Sequence, residues 1–136
     1  KTQKLVRSLM TEPMIHKYGG NAEFKTPYFG KAFKNHPMGY SPEMDEDDGT
    51  MSAWYAFGAL GFYPMLVGDE HYELTSPLFD KITLRLENGN KLIVQTVGRV
   101  QKNTPIRSVT FNDRIVEDFR ISHNELIKGG KLIFNY

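Results

Sequence analysis

Residues 81–87 read Lys-Ile-Thr-Leu-Arg-Leu-Glu, apolar at every second position, and after Asn88, Gly89 and Asn90 the chain resumes with Lys-Leu-Ile-Val-Gln-Thr-Val at 91–97. Successive side chains of a strand point to opposite faces, so a clean period of two lines one face of a sheet and does not fit one side of a helix. Asn-Gly adopts positive φ at low cost, as the tight hairpin turns that match strand twist require. The segment therefore predicts two antiparallel strands joined at Asn88-Gly89. Further strands are expected at 106–111, 115–121 and 131–136. Between the last two, Ser122 and Glu125 have capping-box spacing and Gly129-Gly130 supplies a stop, which predicts a single helical turn.

The first half follows another period. Leu5, Val6, Leu9 and Met10 recur at helical spacing among basic residues, as in the tail of an amphipathic helix over 1–10. Between residues 11 and 49, Pro13, Gly19, Gly20, Pro27, Gly30, Pro37, Gly39 and Pro42 leave room only for short elements, and a loop that long is commonly functional. Residues 49–61, Gly-Thr-Met-Ser-Ala-Trp-Tyr-Ala-Phe-Gly-Ala-Leu-Gly, read as a buried helix, apolar on most of its circumference. Acidic side chains mark its start, where the helix dipole is positive, and Gly61 followed by Pro64 marks its stop. The composition shifts at 64–72, which divides the chain into a helical part at 1–66 and an antiparallel β-domain at 67–136. The fold class is α+β.

A chain of 136 residues is long enough to bury about 65 to 70% of its unfolded surface in one core. Seventeen basic residues face sixteen acidic ones, so no global field attracts nucleic acid or a membrane surface. No apolar run approaches the roughly 18 to 20 residues that span a bilayer. Cysteine is absent, which excludes disulfides, thiol catalysis and cysteine-ligated zinc. The chain opens on Lys-Thr-Gln-Lys without an initiator methionine or signal peptide, so it is expected to be a segment of a longer polypeptide, with any export signal upstream.

The chemistry concentrates at 43–49, Glu-Met-Asp-Glu-Asp-Asp-Gly, where five carboxylates in six positions lead into the aromatic helix. The commoner meaning of such a run is a solvated loop. The apolar helix that follows argues instead for a cleft at its first turn. Mutual repulsion and desolvation there raise carboxylate pKa values, whereas the helix N-terminus lowers them. In an extended segment residues two apart share a side, so Asp45 and Asp47 can converge on one water as base and orienting group while Glu46 and Asp48 point elsewhere. An EF-hand reading fails, because with Gly49 as the sixth loop position the first ligand would be Met44 and the bidentate acid Tyr55; a noncanonical calcium contact stays open. His16, His36, His71 and His123 lack metal-ligand spacing and read as surface or packing residues. Ser52 lacks a nucleophile elbow. Trp54 and Tyr55 are either core residues or a stacking platform for a sugar. Gly19-Gly20 and Gly129-Gly130 read as turns.

The stretch from Asp45 to Pro64, Asp-Glu-Asp-Asp-Gly-Thr-Met-Ser-Ala-Trp-Tyr-Ala-Phe-Gly-Ala-Leu-Gly-Phe-Tyr-Pro, resembles the signature of glycoside hydrolase family 92. Tyr-Glu-Leu-Thr-Ser-Pro at 72–77, the Ile-Thr-Leu strand with Asn88-Gly89, and Ile-Ser-His-Asn-Glu-Leu-Ile-Lys-Gly-Gly at 121–130 extend the resemblance in the same order over about the last hundred residues. Met44, where glycine is common, departs from the pattern, and Asp48 and Thr50 fall at variable positions. The resemblance implies a calcium-dependent exo-α-mannosidase that inverts configuration, built from an N-terminal β-sandwich and an (α/α)6 barrel, of which this chain carries the end. It implies that Asp45 and Asp47 are the paired water-activating aspartates, with Asp47 as base, and that the general acid and most calcium ligands lie upstream. The implied partners are mannose-containing glycans, such as α-1,2-type mannosides of N-glycans or mannan, and the upstream regions of the same polypeptide. The implied location is the bacterial periplasm, cell surface or exterior. The reading from a different class is a noncatalytic carbohydrate-binding or structural β-module.

Overall fold

The computed structural model describes residues 2–17, 27–36, 48–102 and 104–136. Two compact units divide the chain, Lys1–Tyr55 and Ala56–Tyr136.

In the first unit, helix α1 (Thr2–Thr11) buries Met10 and Arg7, while Leu5 stays exposed. It ends where Pro13 would remove a donor: the Glu12 N–H reaches Ser8 O at 2.8 Å and the Thr11 hydroxyl donates back to Arg7 O at 2.9 Å. Strands β1 (Met14–His16) and β2 (Tyr28–Gly30) then pair antiparallel with Ile15 opposite Phe29. Both are three residues long, as the density of proline and glycine predicts.

Helix α2 (Thr50–Leu60) forms where the apolar pattern places it, with two corrections. No acidic side chain lies in its first turn. Asp48 and Gly49 instead take φ of 52° and 79°, a left-handed pair that turns the chain into the helix, and Gly49 O accepts the bond from the Ala53 N–H at 2.9 Å. The helix is also less buried than its composition predicts. Gly58 and Ala59 are buried, whereas Thr50, Ser52, Ala53 and Ala56 are exposed, so the described residues do not enclose the apolar circumference. The stop is as expected: Gly61 at φ 89° bonds back to Phe57 O and Gly58 O.

The second unit holds two sheets. A three-stranded sheet runs β3 (Phe62–Tyr63), β4 (His71–Leu74), β9 (Arg120–Ser122), all antiparallel. A five-stranded sheet runs β5 (Lys81–Arg85), β6 (Lys91–Val97), β10 (Gly130–Asn135), β7 (Ser108–Phe111), β8 (Arg114–Ile115). The β5–β6 hairpin is present, but the turn is wider than the two-residue Asn-Gly form: the Gly89 N–H bonds Leu86 O, the Leu86 N–H bonds Asn90 O, and Gly89 takes positive φ. The sheet is mixed rather than purely antiparallel, because β10 lies parallel to β6. The strand expected at 115–121 is split. Asp118 and Phe119 adopt φ of 52° and 54° within a 3-10 turn (Glu117–Phe119), so β8 stays beside β7 while β9 leaves to join β4.

One face of the five-stranded sheet supplies the core. Ile82, Val94, Leu132 and Phe111 lie in register across four strands, with Phe134 and Val109 in the neighbouring row, and Val94, Leu132 and Phe134 are fully buried. Burying each such side chain contributes about 1.5 to 3 kcal/mol. The capping box forms as its spacing predicts: Ser122 Oγ accepts from the Glu125 N–H at 3.3 Å and bonds Glu125 Oε2 at 3.1 Å, starting the one-turn helix α3 (His123–Leu126).

Candidate active site

Asp45 and Asp47, the water-activating pair read from the sequence, lie outside the described residues. What the structure defines is the platform that follows them in sequence. The left-handed turn at Asp48-Gly49 leads into the first turn of α2, which itself holds no acidic side chain.

The first turns of α2 are held by aromatic packing. Phe33 lies almost parallel to Trp54, with centroids 5.6 Å apart and planes 10° apart, and tilted against Tyr55 at 4.8 Å. Trp54 and Tyr55 are thus engaged by a protein ring, which favours the packing role over the stacking role for the faces that Phe33 covers. Sequence reasoning missed Phe33, because nothing local links residue 33 to residue 54. Leu9, His16, Ala32, Phe33, Thr50, Met51 and Trp54 line an open cavity of about 300 Å³. His16, read as a packing residue, stacks on Tyr28 with centroids 5.8 Å apart. Its Nε2 lies 3.0 Å from Gly30 O. A carbonyl only accepts, so Nε2 carries the hydrogen and Nδ1 of the neutral ring is an acceptor. The cavity is mostly apolar, with His16 as its titratable group and no carboxylate among its described lining.

A second cleft, of about 360 Å³, lies in the second unit and is lined by Pro64, Asp69, Glu70, His71, Tyr72, His123 and Asn124. Asp69 organises it. Its Oδ1 accepts from the His71 backbone N–H at 3.0 Å and from His71 Nδ1 at 2.9 Å, and its Oδ2 pairs with Arg120 at 2.6 Å. The bonds from His71 hold the Asp69 carboxyl below the usual range, with the Arg120 guanidinium acting in the same sense. Arg120 also pairs with Glu73 at 2.8 Å, and the Tyr72 hydroxyl bonds His123 Nδ1 at 2.9 Å. Near the capping box, partial burial works to raise the Glu125 pKa, but the Ser122 hydroxyl and Arg114 outweigh it and the net shift is downward. Sequence spacing gave no sign that His71 and His123 share one cleft. The register does: His71 lies opposite Ser122 across β4 and β9. Among the described residues no group of three or more histidine, aspartate or glutamate side chains is arranged to hold a metal ion, and no helix is long and apolar enough to cross a membrane.

A model of the glycosyl hydrolase family 92 catalytic domain matches residues 16–136. No curated protein matches the chain. Among solved structures, the family 92 glycosyl hydrolase CcMan5 superposes with a TM-score of 0.85 at 26% identity, covering 98% of this chain and 19% of its own. A family 92 inverting mannosidase of Bacteroides thetaiotaomicron VPI-5482 gives 0.72 at 30% identity, covering 98% and 15%. A family 92 α-mannosidase of Bacteroides thetaiotaomicron gives 0.71 at 26% identity with the same coverage, and its structure is also known in complex with mannoimidazole. The chain thus spans a fifth or less of the length of these structures.

Proposed function

The chain belongs to glycosyl hydrolase family 92, and on that premise we propose that it carries the water-activating side of an α-mannosidase active site. The reaction is hydrolysis of a terminal α-linked mannose with inversion, on α-1,2-type mannosides of N-glycans or mannan. Asp47 takes a proton from the attacking water and Asp45 orients the same water. The water oxygen bonds to the anomeric carbon, the glycosidic bond breaks, and the leaving oxygen takes a proton from a carboxylic acid on the opposite face of the sugar, about 6.5 to 9.5 Å from the base. That acid belongs to a segment outside these 136 residues, as does the remainder of an (α/α)6 barrel.

The observation that carries this reading is the sequence run at 45–64, in which the paired aspartates stand just before the Asp48-Gly49 turn and α2. A helix N-terminus favours ionised carboxylates placed close to it, and a base must stay ionised to accept a proton. The activities of the similar structures, an inverting mannosidase and an α-mannosidase, support the same substrate class. Calcium fits the hard oxygen donors of the acidic run, which would supply part of its shell, with other ligands outside the chain. When bound, the ion would polarise and orient hydroxyl oxygens of the sugar. The proposed location is the periplasm, cell surface or exterior of a bacterium.

The test is proton NMR of an aryl α-mannoside treated with a family-length polypeptide carrying this chain. β-Mannose is expected first, with turnover lost on addition of a chelator. Release of α-mannose first would overturn the inverting assignment. Residues 1–136 alone are expected to give no turnover, and hydrolysis by them would overturn the division of acid and base between segments.

A further inference from the structure

The cleft between β4, β9 and the start of α3 plays no part in the hydrolytic reading, and its chemistry is specific. Among the described residues no lysine or arginine lines it, and Asp69 is engaged by His71 and Arg120. Pro64 and the Tyr72 ring are its main apolar surfaces, too little to hold a lipid chain. What remains is a mixed set of hydrogen-bonding groups. The Asp69 carboxylate only accepts, so His71 Nδ1 carries the hydrogen and Nε2 is left as a further hydrogen-bonding group. Asn124 adds amide donors and an acceptor, Glu70 adds a carboxylate, and His123 is fixed through Nδ1 by the Tyr72 hydroxyl. Groups that only accept, beside groups that donate, match a ligand whose every hydroxyl does both.

The aromatic wall is also held in place. Tyr72 stacks with Phe57 at 6.3 Å, meets Phe62 edge-on at 5.4 Å and lies tilted against the His123 ring at 5.9 Å, so its orientation is fixed by protein rings rather than by a ligand. Protein rings pack Tyr72 as Phe33 packs Trp54 and Tyr55, so the convergent polar groups of the cleft, rather than ring stacking, carry the recognition. The volume, about 360 Å³, lies at the low end of small-ligand sites and suits a single ring.

We propose that this cleft is a second, noncatalytic saccharide site that takes one hexopyranose residue; that the sugar is mannose rests on the mannosidase reading above. It would hold a glycan chain on the β-sheet unit apart from the residue being cleaved.

The experiment is saturation-transfer NMR titration of the 136-residue chain with methyl α-mannopyranoside, with methyl α-galactopyranoside as comparison. Saturable binding of the mannoside is expected. It should weaken about threefold to tenfold in Asn124→Ala and in Glu70→Ala, each of which removes one hydrogen-bonding group from an exposed position. Far-UV circular dichroism and melting checks that both variants fold. Ile115→Ala, on an exposed edge strand outside the cleft, should bind as the unsubstituted chain does. Absence of saturable binding, or binding untouched by Asn124→Ala and Glu70→Ala, overturns the site. Binding weakened equally in Ile115→Ala overturns it too, and either failure leaves the mannosidase reading standing. Equal affinity for the galactoside, with the same loss in the two variants, overturns the mannose assignment and leaves the saccharide site.

Discussion

Leu132→Ala is the sharpest structural perturbation the fold allows. Leu132 sits at the middle of β10, opposite Val94 of the parallel neighbour β6 and Phe111 of the antiparallel neighbour β7, and it is 0% exposed. Truncation leaves a void that packed neighbours on two strands cannot fill, and Leu→Ala changes at such sites cost about 2 to 5 kcal/mol. Domains have about 5 to 15 kcal/mol in all, so one substitution removes a large share. With a urea slope of about 2 kcal/mol per molar, the denaturation midpoint should fall by about 1 to 2.5 M at unchanged slope. Ile115→Ala is the control, since Ile115 on the edge strand β8 is 73% exposed and its loss should cost under about 0.5 kcal/mol. A cost below about 1 kcal/mol for Leu132→Ala, or equal costs for the two variants, would refute the placement of β10 as the inner, parallel-paired strand.

Gly61→Ala should destabilise by about 1 to 3 kcal/mol, because φ is 89° and a Cβ would lie 2.9 Å from Pro77 Cβ and 3.0 Å from Thr75 O; an unchanged melting temperature would show that the α2 exit does not need glycine. The Asp69 carboxyl is held below its ordinary value of 3.8, so its stabilisation is present above that value and is lost as pH falls through the still lower folded value. The melting-temperature gap between the native chain and Asp69→Asn should therefore be widest near neutral pH and close in acid, and a gap independent of pH would contradict the His71 and Arg120 bonds.

Local chemistry made some elements legible. The capping box was readable because Ser122 and Glu125 interact within one turn, and the end of α2 because Gly61 is the residue that takes the left-handed conformation there. The hairpin strands were readable from their alternation. Their turn was not, since Asn88 remains outside the positive-φ region and only Gly89 enters it, which opens a wider loop. The parallel pairing of β10 with β6 was hidden for a different reason: periodicity reports which face of a strand is buried, not which strand lies beside it. The reversal at Asp118 and Phe119 contradicts a bulky residue's preference for negative φ, so the pattern at 115–121 predicted one strand where there are two short ones. The site divides along the same line. The acidic run and the aromatic helix are contiguous in sequence and were found there, whereas the Phe33 contacts and the cleft joining His71 to His123 depend on residues 21 to 52 positions apart and become visible only in the fold.

The central claim is that Asp47 removes the proton from the attacking water. Asp47→Asn in a family-length polypeptide should lower kcat for an aryl α-mannoside by at least about a hundredfold, within the range that loss of a general base produces, while the melting temperature stays the same. Activity within a few-fold of the unsubstituted enzyme would contradict the assignment.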